Sequence, residues 1–283
     1  MRGKVVVITG GTSGVGQVAA ERLAEMGARI VLVARSKSRG EAALGRLQET
    51  NSATMHRVYY GDVSRLADLN RLAAEIRAAE PRIHVLINNA GAMFGQRQVT
   101  EDGLEMTFAT NHMSYFVLTN GLREQLAEAG AARVINTSSD AHTCAKIDFD
   151  DLQSERNYKA FPAYCLSKLC NVLFTRVLAR QLAGTGITAN SLHPGFVNTR
   201  FGDETSGSMA RTIRLMKKIF AITPEKGAET IIYLASAPDV AKTTGLYFYK
   251  CKPAEPSKQA QDDAAAERLW KETEKLAHFS TSP

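Results

Sequence analysis

The sequence predicts one α/β domain over residues 1–283: a doubly wound, mostly parallel sheet of seven strands with helices on both faces. Short β-branched runs alternate with longer stretches of helical period, which is typical of βαβ units in a parallel sheet. The chain has 283 residues, and no repeat or Pro- or Ser-rich linker divides it. That length is near the upper limit for one domain. Right-handed crossovers then place ligand sites outside the carboxyl ends of the strands.

Each predicted strand is a short apolar run bounded by glycine or polar residues. "KVVVIT" is the first run and "HVLINN" is the fourth. We predict the seven strands at residues 4–9, 29–34, 55–61, 84–89, 133–139, 187–193 and 245–249.

The predicted helices fill the gaps between the strands. The first begins near Gly14 and ends at Gly27, because a glycine just past the last periodic residue supplies a left-handed cap. Residues 199–223 interrupt the alternation, and the extension 250–283 ends in a charged helix whose single Trp270 is expected to dock on the body. We predict the other helices at residues 38–50, 65–79, 103–129, 160–184 and 225–236.

The composition is that of a globular protein, with 44% hydrophobic and 23% charged residues. The net charge of +6 is modest, and its basic residues are spread along the chain, so we expect an anionic small molecule and no nucleic acid. Four cysteines without a C-x-x-C pair predict free thiols in a reducing cytoplasm. No stretch reaches eighteen apolar residues, so we expect no membrane-spanning segment.

Metal catalysis and serine hydrolysis lack their sequence signatures. The six histidines include no H-E-x-x-H and no tight carboxylate cluster, which predicts no metal site. Ser139 lies in "TSSDA" and outside a G-x-S-x-G elbow.

A glycine-rich turn follows the first strand in "VVVITGGTSGVGQVAAERL". Gly10, Gly14 and Gly16 permit a tight turn and a close backbone approach, and the helix N-terminus presents N–H groups to a pyrophosphate. Glycines also end strands without binding anything, so this motif needs support elsewhere.

That support lies at the ends of the second and third strands. An enzyme that uses NAD usually has an acidic residue after the second strand, whereas "VLVARSKSR" has Arg35, which favours an extra phosphate and hence NADP(H) over NAD(H). Lys37 and Arg39 follow and also suit a solvated helix start. After the third strand, Asp62 and Val63 are placed to meet the adenine.

"LINNAG" ends the fourth strand with small residues. Asn89, Ala90 and Gly91 would let a nucleoside pass close to the backbone, although the same residues also suit a plain turn.

Tyr164 and Lys168 lie four positions apart in "AYCLSKLCN", one turn apart on a predicted helix. A free tyrosine has a pKa of about 10, and a neighbouring ammonium together with a positive nicotinamide ring favours the phenolate. Such pairs are most often structural when they occur alone. Ser139, at the end of the fifth strand, is the candidate hydroxyl for the substrate oxygen, and Asn111 could hold a water that links Lys168 to solvent.

Taken together, these motifs resemble the short-chain dehydrogenase/reductase family. The motifs occur in the same order as in that family: T-G-x-x-x-G-x-G at residues 9–16, Asp62-Val63, N-N-A-G at 88–91, Asn111, Ser139, Tyr164 with Lys168, and "HPG" at 193–195. "SSDAH", "DFDDLQSERNY", "AYCLSKLCNVLFTRVLARQL" and "HPGFV" resemble retinol dehydrogenase-like members in particular.

The resemblance implies a Rossmann fold and an NADPH-dependent reductase of retinal or other apolar carbonyls, reversible as an alcohol dehydrogenase. It implies that Tyr164 is the acid-base catalyst, that Lys168 lowers its pKa and binds the nicotinamide ribose, and that Ser139 orients the carbonyl. It also assigns Asn111 to a proton relay. The implied NADP contacts are Gly10, Ser13, Gly14, Val15, Gly16, Arg35, Asp62, Val63, Asn89, Ala90, Gly91, Tyr164, Lys168 and Val197.

The resemblance also implies a substrate lid at 199–223 and a homodimer or homotetramer built on the helices at 103–129 and 160–184. Within the lid, residues 211–220 form a basic amphipathic stretch, which fits peripheral membrane contact but fits a lid or core helix better. Two other functions remain open. One is a non-catalytic NADP-binding sensor on the same fold; the other is a light-dependent tetrapyrrole reductase, whose cysteine-bearing insert is not found here.

Overall fold

The structure, a computed structural model, describes residues 1–197 and 222–278. Within these residues the strands form one sheet in the order β3-β2-β1-β4-β5-β6-β7-β8. The strands are β1 (Val5–Thr9), β2 (Arg29–Ala34), β3 (Arg57–Tyr60), β4 (Val85–Asn88), β5 (Arg133–Thr137), β6 (Thr188–Leu192), β7 (Tyr247–Tyr249) and β8 (Lys252–Ala254). All neighbouring pairs are parallel except β7 with β8. The order reverses between β1 and β4, which opens a crevice at the carboxyl ends of these two strands.

The helices connect the strands as the alternation predicts. They are α1 (Gly14–Glu25), α2 (Lys37–Thr50), α3 (Leu66–Ala79), α4 (Met106–Phe108), α5 (Ser114–Gly121), α6 (Arg123–Glu128), α7 (Ala160–Gln181), α8 (Pro224–Ser236) and α9 (Asp263–Leu276). Ala109–Met113 is a π-helical segment, and Asp140–Cys144 and Lys258–Gln261 are 3-10 helices. Gly27 has φ +91°, which confirms the predicted cap of α1.

The prediction of seven strands is wrong by one, because β8 pairs antiparallel with β7. Lys250 and Cys251 join the two strands with φ values of 48° and 59°, which is left-handed backbone that glycine or asparagine usually supplies in a tight hairpin. The strand itself contains Pro253, a residue tolerated at a sheet edge. Sequence patterns therefore gave no hairpin signal here.

The predicted helix at 103–129 is also wrong in detail. It is divided into α4, the π-helical segment, α5 and α6, with a break at Leu122 between the last two. The predicted helix at 160–184 ends at Gln181. The predicted strands are at most two residues longer at either end than the observed ones.

Two apolar layers enclose the sheet, and β1 shows how alternate residues serve each of them. Val6 and Ile8 pack on the face covered by α1 and α8, whereas Val7 packs on the face covered by α3, α5 and α7. Successive side chains of a strand point to opposite faces, so burial on both sides needs a continuous apolar run.

The C-terminal helix α9 docks on α7, as expected from Trp270. The Trp270 ring stacks on Phe174 with 5.6 Å between centroids and meets Phe116 edge-on at 4.9 Å. The indole Nε1 donates to Glu274 Oε1 at 2.7 Å. Asp263 accepts hydrogen bonds from both Arg176 and Arg180 at the rim of this contact. The docked helix therefore covers part of the outer face of α5 and α7.

No helix within residues 1–197 or 222–278 is long and apolar enough to cross a membrane. The amphipathic stretch at 211–220 and nearly all of the predicted lid at 199–223 lie outside the described residues. Their roles stay predictions.

We predict that Trp270→Ala lowers the free energy of unfolding by about 3–5 kcal/mol, because it empties the aromatic contact with Phe116 and Phe174. Urea unfolding followed by circular dichroism measures the change. Lys271→Ala, at the exposed neighbouring position, is the control and should change stability by less than about 0.5 kcal/mol. Equal stability of the two variants would contradict the docking of α9.

Candidate active site

The glycine-rich turn between β1 and α1 packs directly on the turn after β4. Gly10 has φ +68°, and a Cβ on it would lie 2.9 Å from Ala90 Cα. A Cβ on Gly16 would lie 2.4 Å from Asn89 Nδ2, which donates to the carbonyls of Thr9 and Gly10. The absence of a Cβ at Gly10 and Gly16 therefore lets the two turns pack together, and the approach of this backbone to a pyrophosphate stays a prediction.

The N-terminus of α1 fits an anionic group. Ser13 is the N-cap residue, but its side chain makes no capping hydrogen bond, and the first turn of α1 contains no acidic residue. The positive end of the helix dipole and its N–H groups are thereby directed at the crevice. Residues from this turn line a cavity of about 840 Å³: Gly10, Thr12, Ser13, Gly14, Val15 and Gly16.

Arg35 lies at the end of β2 on the rim of the same cavity. Its Nη1 is 3.9 Å from Asp62 Oδ2, and 58% of its side chain is exposed. The sequence does not decide whether Lys37 and Arg39 belong to the site. Arg39 lines the cavity and is therefore a candidate. Lys37 is the solvated one, with its Nζ 3.9 Å from Glu41. Two guanidinium groups therefore border the end of the crevice farthest from β5.

The other predicted nucleotide residues also line the cavity. Asp62 Oδ1 accepts from the backbone N–H and the hydroxyl of Ser64, which fixes its carboxylate at the end of β3. The cavity lining includes Asp62, Val63, Asn89, Ala90, Gly91 and Val197. Val197 is the last described residue before the gap and forms a parallel bridge with Ile222.

Ser139, Tyr164 and Lys168 meet at the opposite end of the cavity. Ser139 caps the 3-10 helix by accepting from the Ala141 N–H at 3.2 Å, and its side chain hydrogen-bonds Tyr164. Lys168 Nζ donates to the carbonyl of Thr137 at 3.1 Å and lies 5.6 Å from the centroid of the Tyr164 ring. The three predicted side chains are thus brought together.

Burial dominates the ionisation of this pair. It raises the pKa of Tyr164 to about 12, although the hydrogen bond from Ser139 acts in the opposite direction. It lowers the pKa of Lys168 to about 7. The protein's own groups thus favour a neutral phenol, and the expectation that Lys168 together with a positive nicotinamide ring lowers the pKa of Tyr164 stays a prediction. Further positive charge near the phenol is required for phenolate formation near neutral pH.

Asn111 lies in the π-helical segment, fully buried behind the site. Its side chain accepts from the Ala92 N–H at 2.8 Å and donates to the Ala92 carbonyl and to Ser167 Oγ, both at 2.9 Å. A Cβ on Gly91 would be 3.3 Å from both Asn111 Oδ1 and Lys168 Nζ. The side-chain amide thus holds the backbone beside Lys168, and the water-mediated relay stays a prediction.

Sequence reasoning missed the apolar half of the cavity. Its lining includes Met93, Phe94, Phe161, Phe196 and Tyr249. Phe161 precedes Tyr164 by three residues, so helical spacing from the catalytic candidate would have found it. His193 stacks on Tyr249 with 4.0 Å between ring centroids, which orders this wall.

Comparisons with known proteins show the family of this chain. The family model described as short chain dehydrogenase matches residues 4–209. "Retinol dehydrogenase 14" of Mus musculus is 39% identical over 284 residues, which cover 95% of this chain and 84% of the relative. A crystal structure of an uncharacterized protein from Mycobacterium Paratuberculosis has a TM-score of 0.80 and 30% identity, covering 100% of this chain and 96% of that one. The "Pseudomonas aeruginosa RhlG/NADP active-site complex" has a TM-score of 0.70 and 27% identity, covering 88% and 94%.

The chain therefore belongs to the short-chain dehydrogenase family, a class of oxidoreductases that transfer hydride. The sheet order, the glycine-rich turn and the meeting of Ser139 with Tyr164 and Lys168 agree with that membership.

We predict that stability rises with pH near neutrality because of Lys168. The pKa of Lys168 is about 7 in the folded protein and 10.5 in the unfolded chain. Between these pH values the unfolded chain binds more protons, so the free energy of unfolding rises as the pH rises. From pH 7 to 8.5 the expected gain in the free energy of unfolding is about 1.5 kcal/mol relative to Lys168→Met.

Urea unfolding of both proteins at the two pH values measures this gain. The measurements stay below pH 9, the ordinary pKa of a thiol. Burial raises the pKa of Cys170, so above pH 9 this thiol makes the folded state less stable as the pH rises, which opposes the effect of Lys168. Identical pH dependence in wild type and Lys168→Met would show that Lys168 is not buried as a perturbed amine.

Proposed function

We propose that this protein is an NADP(H)-dependent oxidoreductase that interconverts an apolar aldehyde or ketone and its alcohol. The proposal depends on one observation: a single cavity extends from the uncapped N-terminus of α1 to the cluster of Ser139, Tyr164 and Lys168. In such a cavity the N-terminus of α1 would hold the phosphates of a dinucleotide, and Ser139, Tyr164 and Lys168 would lie beside its reactive ring.

NADP is proposed over NAD because Arg35 and Arg39 border the cavity at the end of β2. A guanidinium recognises a phosphate with paired, charge-assisted hydrogen bonds. Asp62 lies 3.9 Å from Arg35, so this end of the cavity carries charges of both signs. A solved relative at 27% identity is described as an NADP complex, which supports the same choice.

A bound nicotinamide dinucleotide supplies or accepts the hydride. In the reductive direction the Ser139 hydroxyl donates a hydrogen bond to the substrate oxygen, and Tyr164 gives that oxygen its proton. Lys168, with a pKa of about 7, exchanges protons near neutral pH and is assigned the re-protonation of Tyr164. Asn111 holds the backbone at Ala92 beside Lys168 and completes the proposed relay.

An apolar substrate is proposed because the cavity wall beyond Ser139 is largely aromatic. Phe161 and Phe196 expose 46% and 43% of their surface there, a large apolar area at the mouth of a cavity. Relatives named retinol dehydrogenases support a lipophilic aldehyde or alcohol as the substrate class. Peripheral membrane contact through 211–220 is proposed as the route by which such a substrate enters.

A cytoplasmic location is proposed because the four cysteines are free thiols. A homodimer or homotetramer through the helices of residues 103–129 and 160–184 is proposed from the family resemblance. The docked α9 already covers part of that surface, so such an interface has to include the outer face of α9. Light scattering of the purified protein measures the assembly.

We predict that Tyr164→Phe lowers carbonyl reduction by about 100- to 10,000-fold, because it removes the proton donor. NADPH oxidation against short aldehydes, quinones and retinal measures turnover, and fluorescence titration checks that NADPH affinity stays within about threefold. Tyr233→Phe, whose hydroxyl donates to Asp239 on the surface, is the matched control.

Two results would contradict the proposed mechanism. Near-normal turnover by Tyr164→Phe would remove the phenol from the chemistry. Absence of turnover in wild type across the whole panel, with tight NADPH binding, would favour the non-catalytic sensor.

We predict that Arg35→Ala raises the KM for NADPH by about 10- to 100-fold and changes the KM for NADH less than about threefold, because a charge-assisted phosphate contact is lost. Lys37→Ala is the control, since Lys37 lies two residues away but pairs with Glu41 outside the cavity. Equal effects of Arg35→Ala on both cofactors would contradict recognition of a phosphate by Arg35.

A further inference from the structure

His142 lies directly behind the catalytic cluster, which consists of Ser139, Tyr164 and Lys168. It is the third residue of the 3-10 helix that Ser139 caps, and only 1% of its surface is exposed. Ser139 borders the cavity, whereas His142 is not among the described residues that line it. Any effect of His142 on the chemistry therefore has to pass through a neighbour.

Both ring nitrogens of His142 bond to the backbone, and the two partners determine where the ring proton is. The Ser257 N–H donates to Nε2 at 3.1 Å, so Nε2 carries no proton. Nδ1 lies 2.8 Å from the Ser139 carbonyl oxygen, which can only accept, so Nδ1 carries the proton and donates it. Burial lowers the pKa of His142, which keeps the ring neutral near neutral pH. One tautomer thus joins Ser257 to Ser139.

The backbone on both sides of Ser139 is held by hydrogen bonds. Before it, the Ser138 N–H donates to the Leu192 carbonyl and Ser138 Oγ donates to the Lys168 carbonyl, both at 2.7 Å. After it, the Ser139 carbonyl accepts from the N–H of His142 at 3.1 Å and from its ring at 2.8 Å. Because both flanking peptides are held, the Cα of Ser139 and the hydroxyl group that it carries are fixed in place.

The far end of this connection belongs to the C-terminal extension. Ser257 caps the 3-10 helix Lys258–Gln261 by accepting from the Ala260 N–H at 3.3 Å, and the Ala260 side chain is fully buried. That helix leads into α9, which Trp270 docks on α7. The hydrogen bond from Ser257 thus joins the extension to the catalytic cluster across 115 positions of the sequence.

We propose that His142 is a positioning residue for carbonyl reduction: it ties Ser139 to the C-terminal extension and makes the extension part of the active site. This inference rests on the proposed function, in which the Ser139 hydroxyl donates to the substrate oxygen. The extension then has a role beyond stability, because loss of the tie lowers turnover in a protein that still folds and still binds the cofactor.

His142→Phe keeps a ring at this position and removes both hydrogen bonds. We expect kcat for NADPH-dependent carbonyl reduction to fall about 10- to 100-fold and the KM for NADPH to change less than about threefold, because the Ser139 hydroxyl is misplaced. His56→Phe is the matched control. The buried His56 ring accepts from the Ile30 N–H at 3.0 Å and lies 3.2 Å from the Asn51 carbonyl, at the amino ends of β2 and β3. This control should lose similar stability in urea and keep its kcat.

A double-mutant cycle shows whether His142 acts through Ser139. Ser139→Ala removes the hydroxyl group, so His142→Phe should change kcat less than about threefold in that background. An effect of His142→Phe that is equally large with and without the Ser139 hydroxyl overturns the proposal, since the ring would then act by another route.

The contribution of the extension is measured at Ser257, whose φ of −57° is one that proline also adopts. Ser257→Pro removes the N–H that donates to His142, whereas Ser257→Ala keeps this N–H and loses the capping hydroxyl. We expect Ser257→Pro to lower kcat at least about fivefold relative to Ser257→Ala, because the acceptor on His142 is left unpaired. Equal turnover of the two variants overturns the role of the extension.

Nitrogen-15 NMR of the histidine rings tests the tie without turnover. We expect His142, assigned by the loss of its signals in His142→Phe, to carry its proton on Nδ1, and Ser257→Pro to shift these signals more than Ser257→Ala does. A proton on Nε2 overturns the tie. If the wild type turns over no carbonyl, the proposed function fails, and the effect of His142 on turnover fails with it. The ring tautomer then still decides whether Ser139 and the extension are joined.

Discussion

The carbonyl of Thr137, at the end of β5, is the acceptor on which the site depends. It accepts from Lys168 Nζ at 3.1 Å, from the Tyr115 hydroxyl at 3.3 Å and from Asn171 Nδ2 at 3.4 Å. A buried ammonium without an acceptor would cost several kcal/mol, so this carbonyl determines where Lys168 can lie. Tyr164, one turn before Lys168 on α7, is placed by the same contact.

A layer of buried amides and hydroxyls lies beneath that carbonyl and joins the sheet to the helices. Asn88 Nδ2 donates to Asn136 Oδ1, which links β4 to β5, and also to Thr119 on α5. Asn136 Nδ2 donates to Thr175, two turns after Lys168 on α7. The hydrogen bonds of this network favour one arrangement, because another arrangement would lose them, although Asn88 Oδ1 has no partner among the described residues. The network therefore fixes the position of α7 on the sheet, and this places Tyr164 and Lys168 in the catalytic cluster.

Much of the site was predictable because it depends on strand ends and short spacings. Parallel strands bring their carboxyl ends to one edge, so Gly10, Arg35 and Ser139 were predicted to meet around one cavity, and they do. Helical spacing placed Lys168 one turn from Tyr164. These features are local in sequence, or follow from the direction of the strands alone.

Other features depend on contacts that no local pattern encodes. β8 forms through left-handed backbone at Lys250 and Cys251, residues that seldom adopt it. The π-helical segment that bears Asn111 has no distinct sequence period. The spacing of Tyr164 and Lys168 indicates that they are neighbours, but it gives no sign of the burial that raises the pKa of Tyr164. Desolvation depends on the packing around the folded cavity, so no local sequence pattern predicts it.

Burial keeps Tyr164 protonated until a positive charge is bound beside it. Absorbance near 295 nm, titrated from pH 6 to 10.5 in wild type and Tyr164→Phe, with and without NADP⁺, measures it directly. Without NADP⁺ the difference between the two proteins should show no ionisation of Tyr164 in this interval, since its pKa is about 12. With NADP⁺ an ionisation should appear within it. Ionisation of Tyr164 near neutral pH in the protein alone would contradict the claim.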